Sequence, residues 1–152
     1  MVNIGTNRAT FELGTPMVIP LVKKADKTNL EIFPSVRFFT KNDESIAFDE
    51  KTQAPLFIVE SHLIHKFNKK LRATFNSRYQ LGGETTTNNT KDGNSFNSFG
   101  GSLGIGYQFH PLIDLHVDYG GLLLEDNGIR SEMFRVTLNL TYINVKKNAK
   151  NL

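Results

Sequence analysis

Between Glu132 and Ile143 apolar and polar residues alternate almost without error. Phe134, Val136, Leu138, Leu140 and Tyr142 share one parity, and Arg135, Thr137, Asn139 and Thr141 share the other. A period of two puts the two sets on opposite faces of a β-strand, so the segment has an apolar face and a wet face. Lys70 to Leu81 repeats the pattern, with Leu71, Ala73, Phe75, Tyr79 and Leu81 opposing Arg72, Thr74, Asn76, Arg78 and Gln80. The polar parity is charged too often for the inside of a soluble core. Long dyad segments joined by alternately short and long polar connections are the pattern of an outer-membrane β-barrel, with lipid outside and water inside.

Alternation and chain breakers predict about seven strands: Arg8 to Leu21, Asn29 to Thr40, Pro55 to Phe67, Lys70 to Leu81, Ser98 to Phe109, Leu112 to Gly121 and Met133 to Ile143. No strong helical period is present. The short connections, Val22 to Thr28, Asn68-Lys69 and His110-Pro111, alternate with the long polar ones, Lys41 to Ala54, Gly82 to Asn97 and Leu122 to Glu132. On a barrel the short ones are periplasmic turns and the long ones external loops, so the last strand descends. Pro16, Pro20 and Pro34 fall inside the first two strands, where a missing N–H suggests an edge or a bulge. Barrels of this class have even strand numbers from eight upward, so seven strands do not close alone. The expectation is an antiparallel up-and-down transmembrane β-barrel completed by an odd number of strands before Met1, rather than by several chains. Residues 1–145 would be barrel and 146–152 a basic tail.

Composition removes several other classes. A mean hydropathy of -0.30 does not discriminate, because a barrel strand gives only every second residue to lipid. A membrane helix needs about 20 apolar residues in a row. The longest stretch free of Asp, Glu, Lys and Arg, Gly93 to Ile113, is instead rich in Gly, Ser and Asn. The net charge of +3 owes much to Lys146, Lys147 and Lys150, and elsewhere cations and aromatics take opposite parities, which argues against nucleic acid as a partner. With no cysteine, disulfides and thiolate metal sites are excluded. The opening Met1-Val2-Asn3-Ile4 has no signal-peptide character, which for an exported barrel points to a mature piece or a fragment of a longer product.

Aromatic placement is an independent test. Phe57 and Phe67 bracket the third predicted strand, Phe99 with Tyr107 and Phe109 the fifth, and Phe134 and Tyr142 the seventh, while Phe38, Tyr79 and Tyr119 fall at loop ends. Eight to ten residues at about 3.3 Å rise and about 40° tilt span roughly 20 to 25 Å, the height of the apolar band between two aromatic girdles.

The inward parity includes the candidate lumen-lining residues Glu12, Glu31, Arg37, Glu60, His62, Arg72, Arg78, Asp114, His116, Asp118 and Arg135, with Arg8 and Lys66 beside them. Such a wall reads either as a selectivity surface for a permeant or as a cross-strand network that satisfies a polar interior. Asp114, His116 and Asp118 form a stripe at spacing two, a residue combination suited to a divalent metal or to acid–base work. Alternating charge arises on a lumen wall without either, so neither metal, cofactor nor catalytic residue is assigned. His62 and His65, three apart, face opposite ways. Gly100, Gly104 and Gly106 on the polar parity of the fifth strand suggest room for a plug or permeant, or a bend. Asn88-Asn89-Thr90, in a polar loop, fits a glycosylation pattern without meaning in a bacterial outer membrane.

The blocks Asn3-Ile4-Gly5-Thr6-Asn7-Arg8, Phe38-Phe39-Thr40-Lys41-Asn42-Asp43, Glu60-Ser61-His62-Leu63-Ile64-His65-Lys66-Phe67 and Gly82-Gly83-Glu84-Thr85 give the chain a further mark. In their order and spacing, from Asn3 to about Tyr142, it resembles the meta-pathway phenol-degradation family of outer-membrane proteins. The resemblance implies the C-terminal part of a barrel of about a dozen strands that carries aromatic or other hydrophobic compounds. The absence of tryptophan and the tail from Val145 to Leu152 depart from that pattern.

The expected function is therefore non-enzymatic: passive passage of small hydrophobic or aromatic solutes through an outer-membrane barrel, with membrane lipid and solute as partners. Two alternatives stand beside it. A soluble β-sandwich or lipocalin-like binding module would bring Phe57, Val59, Leu63, Phe134, Leu138 and Leu140 together in one interior. An outer-membrane barrel hydrolase would need an acidic or histidine cluster converging at one level of the wall.

Overall fold

A computed structural model describes residues 8–22, 27–42, 50–125 and 131–142. The predicted tail, and Ile143 at the end of the last predicted strand, lie outside these residues. The elements are β1 (Thr10–Gly14), β2 (Met17–Pro20), β3 (Thr28–Phe39), β4 (Lys51–Gln53), β5 (Leu56–Lys66), β6 (Leu71–Gly82), β7 (Thr85–Thr87), β8 (Thr90–Lys91), β9 (Phe96–His110), β10 (Ile113–Glu125) and β11 (Glu132–Leu140). The main sheet runs β1-β3-β5-β6-β9-β10-β11, with β2 also on β3, and every pairing is antiparallel between chain neighbours. This is an up-and-down barrel wall. Its first and last strands run in the same direction, so they cannot pair antiparallel with each other.

β1 and β2 are one interrupted strand, as the alternation predicts. Both keep the same register on β3, from Thr10↔Phe39 to Pro20↔Asn29, with no slip at Thr15-Pro16. Backbone bonds to β3 at Ala9, Thr15 and Leu21 show that odd residues turn their amide groups to β3. By the antiparallel alternation, even residues, including Pro16 and Pro20, turn theirs to the outer edge. Their missing N–H groups therefore take nothing from the β3 ladder. Pro34 lies inside a strand flanked on both sides. It loses one bond of the pair it forms with Thr15, whose N–H still reaches the Pro34 carbonyl at 3.2 Å.

The long loops are less irregular than the sequence reading expects. β4, β7 and β8 form a second, three-stranded antiparallel sheet at the loop end. Asn88 and Asn89 have φ of 48° and 64°, the left-handed pair that a two-residue hairpin turn requires and that asparagine tolerates well. β10 continues to Glu125, four residues past the predicted end, by pairing with Ser98–Gly100 through an irregularity at Leu122–Leu124. At the opposite end the Asn68 side-chain oxygen accepts from the Lys70 and Leu71 amides and closes the tight β5–β6 turn.

Side-chain exposure fixes which face is inside. The buried residues Ser35, Leu56, Ile58, Thr74, Ser98 and Asp118 all share the parity of the charged set, as expected of a sheet curled with that face inward. Leu103, Phe134 and Leu138 on the other parity are 68, 68 and 58% exposed, and Phe75 is exposed too. That excludes the sandwich or lipocalin alternative, which requires Phe57, Val59, Leu63, Phe134, Leu138 and Leu140 in a common interior; Leu63 is half-buried and the other five are exposed.

On the apolar face the few polar groups pair with one another. Ser61 and Ser77 hydroxyls bond at 2.7 Å and Thr28 bonds the His65 ring at 2.8 Å. Tyr79 and Tyr119 donate their hydroxyls to Asn97 and Glu132 near the loop ends. Paired polar atoms and an aromatic rim are what a hydrocarbon-facing surface demands.

Candidate functional site

All eleven candidate residues lie on the inner parity, and the structure sorts them by level along the wall. Nearest the loops, Glu12 accepts from the Arg37 guanidinium at 2.7 and 3.0 Å and from the Ser35 hydroxyl at 2.7 Å. Arg8 stacks over Phe39 with its guanidinium carbon 4.6 Å from the ring centre. One step further, Glu60 and Arg78 are register partners with an ion pair of 3.3 Å. Glu31 and His62 also stand opposite each other in register; the His62 ring bonds Asn76 at 2.9 Å instead.

The remaining five form one network that crosses three strands. Arg72 on β6 grips Asp114 on β10 with two bonds of 2.6 and 2.7 Å, and its Nη2 also lies 3.3 Å from Nδ1 of His116. His116 Nε2 lies 3.0 Å from Oδ1 of Asp118, whose other oxygen receives Arg135 of β11 at 3.3 and 3.4 Å. An arginine can only donate, so Nδ1 of His116 accepts and its proton sits on Nε2, donated to Asp118. Asp118 is 3% exposed and Arg135 is half exposed to the inner space.

β6 and β10 are separated by β9, about 9.5 Å in all, so this bridge needs a gap in the intervening strand. The glycines provide it. A Cβ at Gly104 would lie 2.5 Å from both His116 Nε2 and Thr74 Oγ1 and 2.6 Å from Asp118, and one at Gly106 would lie 2.5 Å from the Arg72 guanidinium carbon. At Gly104 and Gly106 the space suggested for a plug or a permeant is thus taken by the wall's own side chains, reaching over β9 from both sides, whereas at Gly100 a Cβ would meet only the Gly121 carbonyl at 3.2 Å and Leu122 at 3.8 Å. No sequence period reveals this, because it depends on which strand neighbours which.

Above the network the inner face holds a recess of about 410 Å³, lined by His62, Thr74, Asn76, Ser102, His116, Asp118, Arg135, Thr137 and Asn139. The uncharged members share the inward parity and were legible from it, although charge alone draws the eye elsewhere. Among the described residues no three His, Asp or Glu side chains converge as metal ligands do. Both nitrogens of His116 are engaged within the network, Nδ1 accepting from Arg72 and Nε2 donating to Asp118. The inner wall is also not uniformly wet, contrary to the strict reading of the alternation. Leu56 and Ile58, 4 and 2% exposed, face inward beneath the loop sheet, where Gln53 donates to the Gly83 carbonyl at 2.7 Å. Phe33 and Leu122 join them on that parity.

A curled antiparallel sheet, apolar outside and lined inside by matched ion pairs, is the wall of a transmembrane β-barrel. In fold, the chain is similar to the crystal structure of the COG4313 outer membrane channel from Pseudomonas putida F1, with a TM-score of 0.75 at 18% identity over 90% of this chain and 50% of that one. The chain thus spans about half the length of that channel. No family model matches the sequence, and no curated protein matches it.

Proposed function

We propose that this chain forms part of the wall of an outer-membrane channel through which small hydrophobic or aromatic solutes pass by diffusion, without energy coupling. The observation that carries the reading is the division of the sheet into an exposed apolar face and an inner face on which Arg37, Arg72, Arg78 and Arg135 are each matched by a carboxylate. A wall of matched pairs holds water yet presents little unbalanced charge, so it neither repels nor traps a neutral solute. The inward Phe33 and Leu122, both half-buried, offer apolar surface on the inner face, and the resemblance to the phenol-degradation family supplies the solute class. A closed all-antiparallel barrel needs an odd number of further strands between β11 and β1.

The test is flux. The protein reconstituted in liposomes should admit a phenol-type solute faster than protein-free liposomes do, and heat-denatured protein should abolish the difference. Equal rates with and without folded protein would overturn the reading.

A further inference from the structure

The geometry points to a binding site for a soluble oxyanion of two or more negative charges, a phosphate or a small dicarboxylate, at the short-turn mouth of the inner face, formed by Lys27, Lys66, Lys69 and Lys70. The inference goes beyond the channel reading and does not depend on it, because it concerns binding and not passage.

The first observation is where cations lack partners. On the wall Arg37, Arg72, Arg78 and Arg135 each meet a carboxylate, and Arg8 stacks on Phe39. At the loop end Lys41 pairs with Glu50 and Lys91 with Glu84, both at 2.8 Å, and the Lys51 charge acts on Asp92. That leaves Lys27, Lys66, Lys69 and Lys70, all exposed, and none of them has a carboxylate within 4.0 Å among the described residues. Uncompensated positive charge is therefore confined to one end of the sheet.

The second is that these cations are neighbours. The Lys66 amide donates to the Lys27 carbonyl at 2.7 Å, so the two residues stand opposite each other on β5 and the start of β3, and Lys66 is also the register partner of Arg72 on β6. Lys70 faces Gln108, whose amide donates to its carbonyl at 2.8 Å. Lys27, Lys66 and Lys70 share the inward parity of Glu31, His62 and Arg72, with Lys69 at the turn beside them. Like charges placed opposite each other on a sheet repel, and here no acid relieves them. Asp114 is held by two bonds from Arg72, and Asp26 is outnumbered in its own connection by Lys23, Lys24 and Lys27.

The third is a recess of about 410 Å³, lined by Lys66, Lys69 and Lys70 with Asn68, Arg72 and Gln108. Ammonium and guanidinium groups only donate. Asn68 commits its oxygen to the Lys70 and Leu71 amides, so its NH2 is the part left to offer. A donor-rich hollow with several positive charges matches an oxyanion, whose oxygens only accept, and more than one negative charge is needed to answer several ammonium groups. The inward parity turns the site to a solute at the mouth. Phospholipid head groups meet the other face, beyond the exposed Phe67 and Phe109.

The test is binding. With isotope-labelled methyl groups on the lysine amines, which keep their charge, inorganic phosphate added to the protein in neutral detergent at constant ionic strength should move the Lys66 and Lys70 methyl resonances along one saturable curve. Those of Lys41 and Lys91 should stay in place. Parallel, non-saturating shifts of all lysines would reduce the effect to general screening and overturn the site. This measurement uses the unaltered sequence, so it stands whether or not a variant folds. Lys66→Gln with Lys70→Gln should weaken phosphate binding, measured by calorimetry, roughly tenfold or more, as the loss of two charge-assisted hydrogen bonds implies. Lys41→Gln with Lys91→Gln, which removes equal charge at the loop end, should leave it unchanged; equal weakening by both pairs overturns the site. Micelles doped with phosphatidylglycerol and free of phosphate should leave the Lys66 and Lys70 resonances where they are. The phosphate-type shifts produced by that lipid alone would assign the lysines to head groups and overturn a soluble ligand.

Discussion

At the scale of single residues the wall is held by side chains that reach past their nearest neighbour. Asp118, buried between His116 and Arg135, is the hinge of the five-residue network. Asp118→Ala leaves one ring N–H and one guanidinium without an acceptor and should lower the unfolding free energy by about 1–3 kcal/mol, whereas Asp118→Asn, which keeps an acceptor, should lose less. Gly104→Val places carbon where Thr74, His116 and Asp118 meet, and overpacking of this kind costs about 1–3 kcal/mol. Urea titrations of the protein in detergent micelles measure both, and a neutral Gly104→Val would mean that the network lifts off the wall at no cost. The inward placement of these residues was legible from the period of two. That Arg72 meets Asp114 across 42 positions of sequence was not, since it depends on β9 lying between β6 and β10 with glycine at two facing positions.

At the scale of elements, the seven long segments were legible because strand parity and burial agree along each of them, and even Pro16 stayed within its register by facing the edge. The loop sheet was missed because Thr85–Thr87 and Thr90-Lys91 are polar on both parities, so no alternation marks them; only the Asn88-Asn89 pair signals the turn. Asn89→Gly should preserve or tighten that hairpin, while Asn89→Val should loosen it by roughly 1–2 kcal/mol because a branched side chain is strained at positive φ. Hydrogen exchange at the Asp92 amide, bonded to the Thr85 carbonyl at 3.0 Å, reports either outcome. The same hairpin should respond to acid. The Thr85 hydroxyl, with a further bond from Thr87 and the nearby Lys51 charge, holds the Asp92 carboxyl below its ordinary value. A carboxylate depressed in the folded state contributes stability that is complete above the unfolded value and is lost as pH falls through the folded one. The protection factor at the Asp92 amide, its exchange rate relative to that of the unstructured amide at the same pH, should therefore be constant near neutrality and fall only below the usual carboxylate range, and Asp92→Asn should remove that acid step.

For the whole molecule, what decides the fold is the sign of the sheet's curvature relative to its polarity: the buried ionic residue Asp118 is inside and Leu103 outside, the reverse of a water-soluble domain. A sequence of ordinary mean hydropathy can make such a wall because only half of each strand meets hydrocarbon. The consequence is a strong asymmetry in what the two faces accept. Ser102 and Leu103 are adjacent on β9, one lining the inner recess and the other 68% exposed on the apolar side. An arginine at Leu103, near the middle of its strand, must displace lipid and should cost about 2–4 kcal/mol on insertion into a bilayer, against about 0–1 near the membrane interfaces. At Ser102 the same side chain enters the wet recess beside Asn76 and should insert nearly as well as the parent. The two variants differ by one position and are equal in charge, so the comparison cancels any general effect of added charge on solubility or expression. Folding into lipid vesicles, followed by protease resistance, should rank parent and Ser102→Arg together and Leu103→Arg well below them. The opposite ranking would mean that the curl is inverted, with β9 presenting its apolar side to a protein interior.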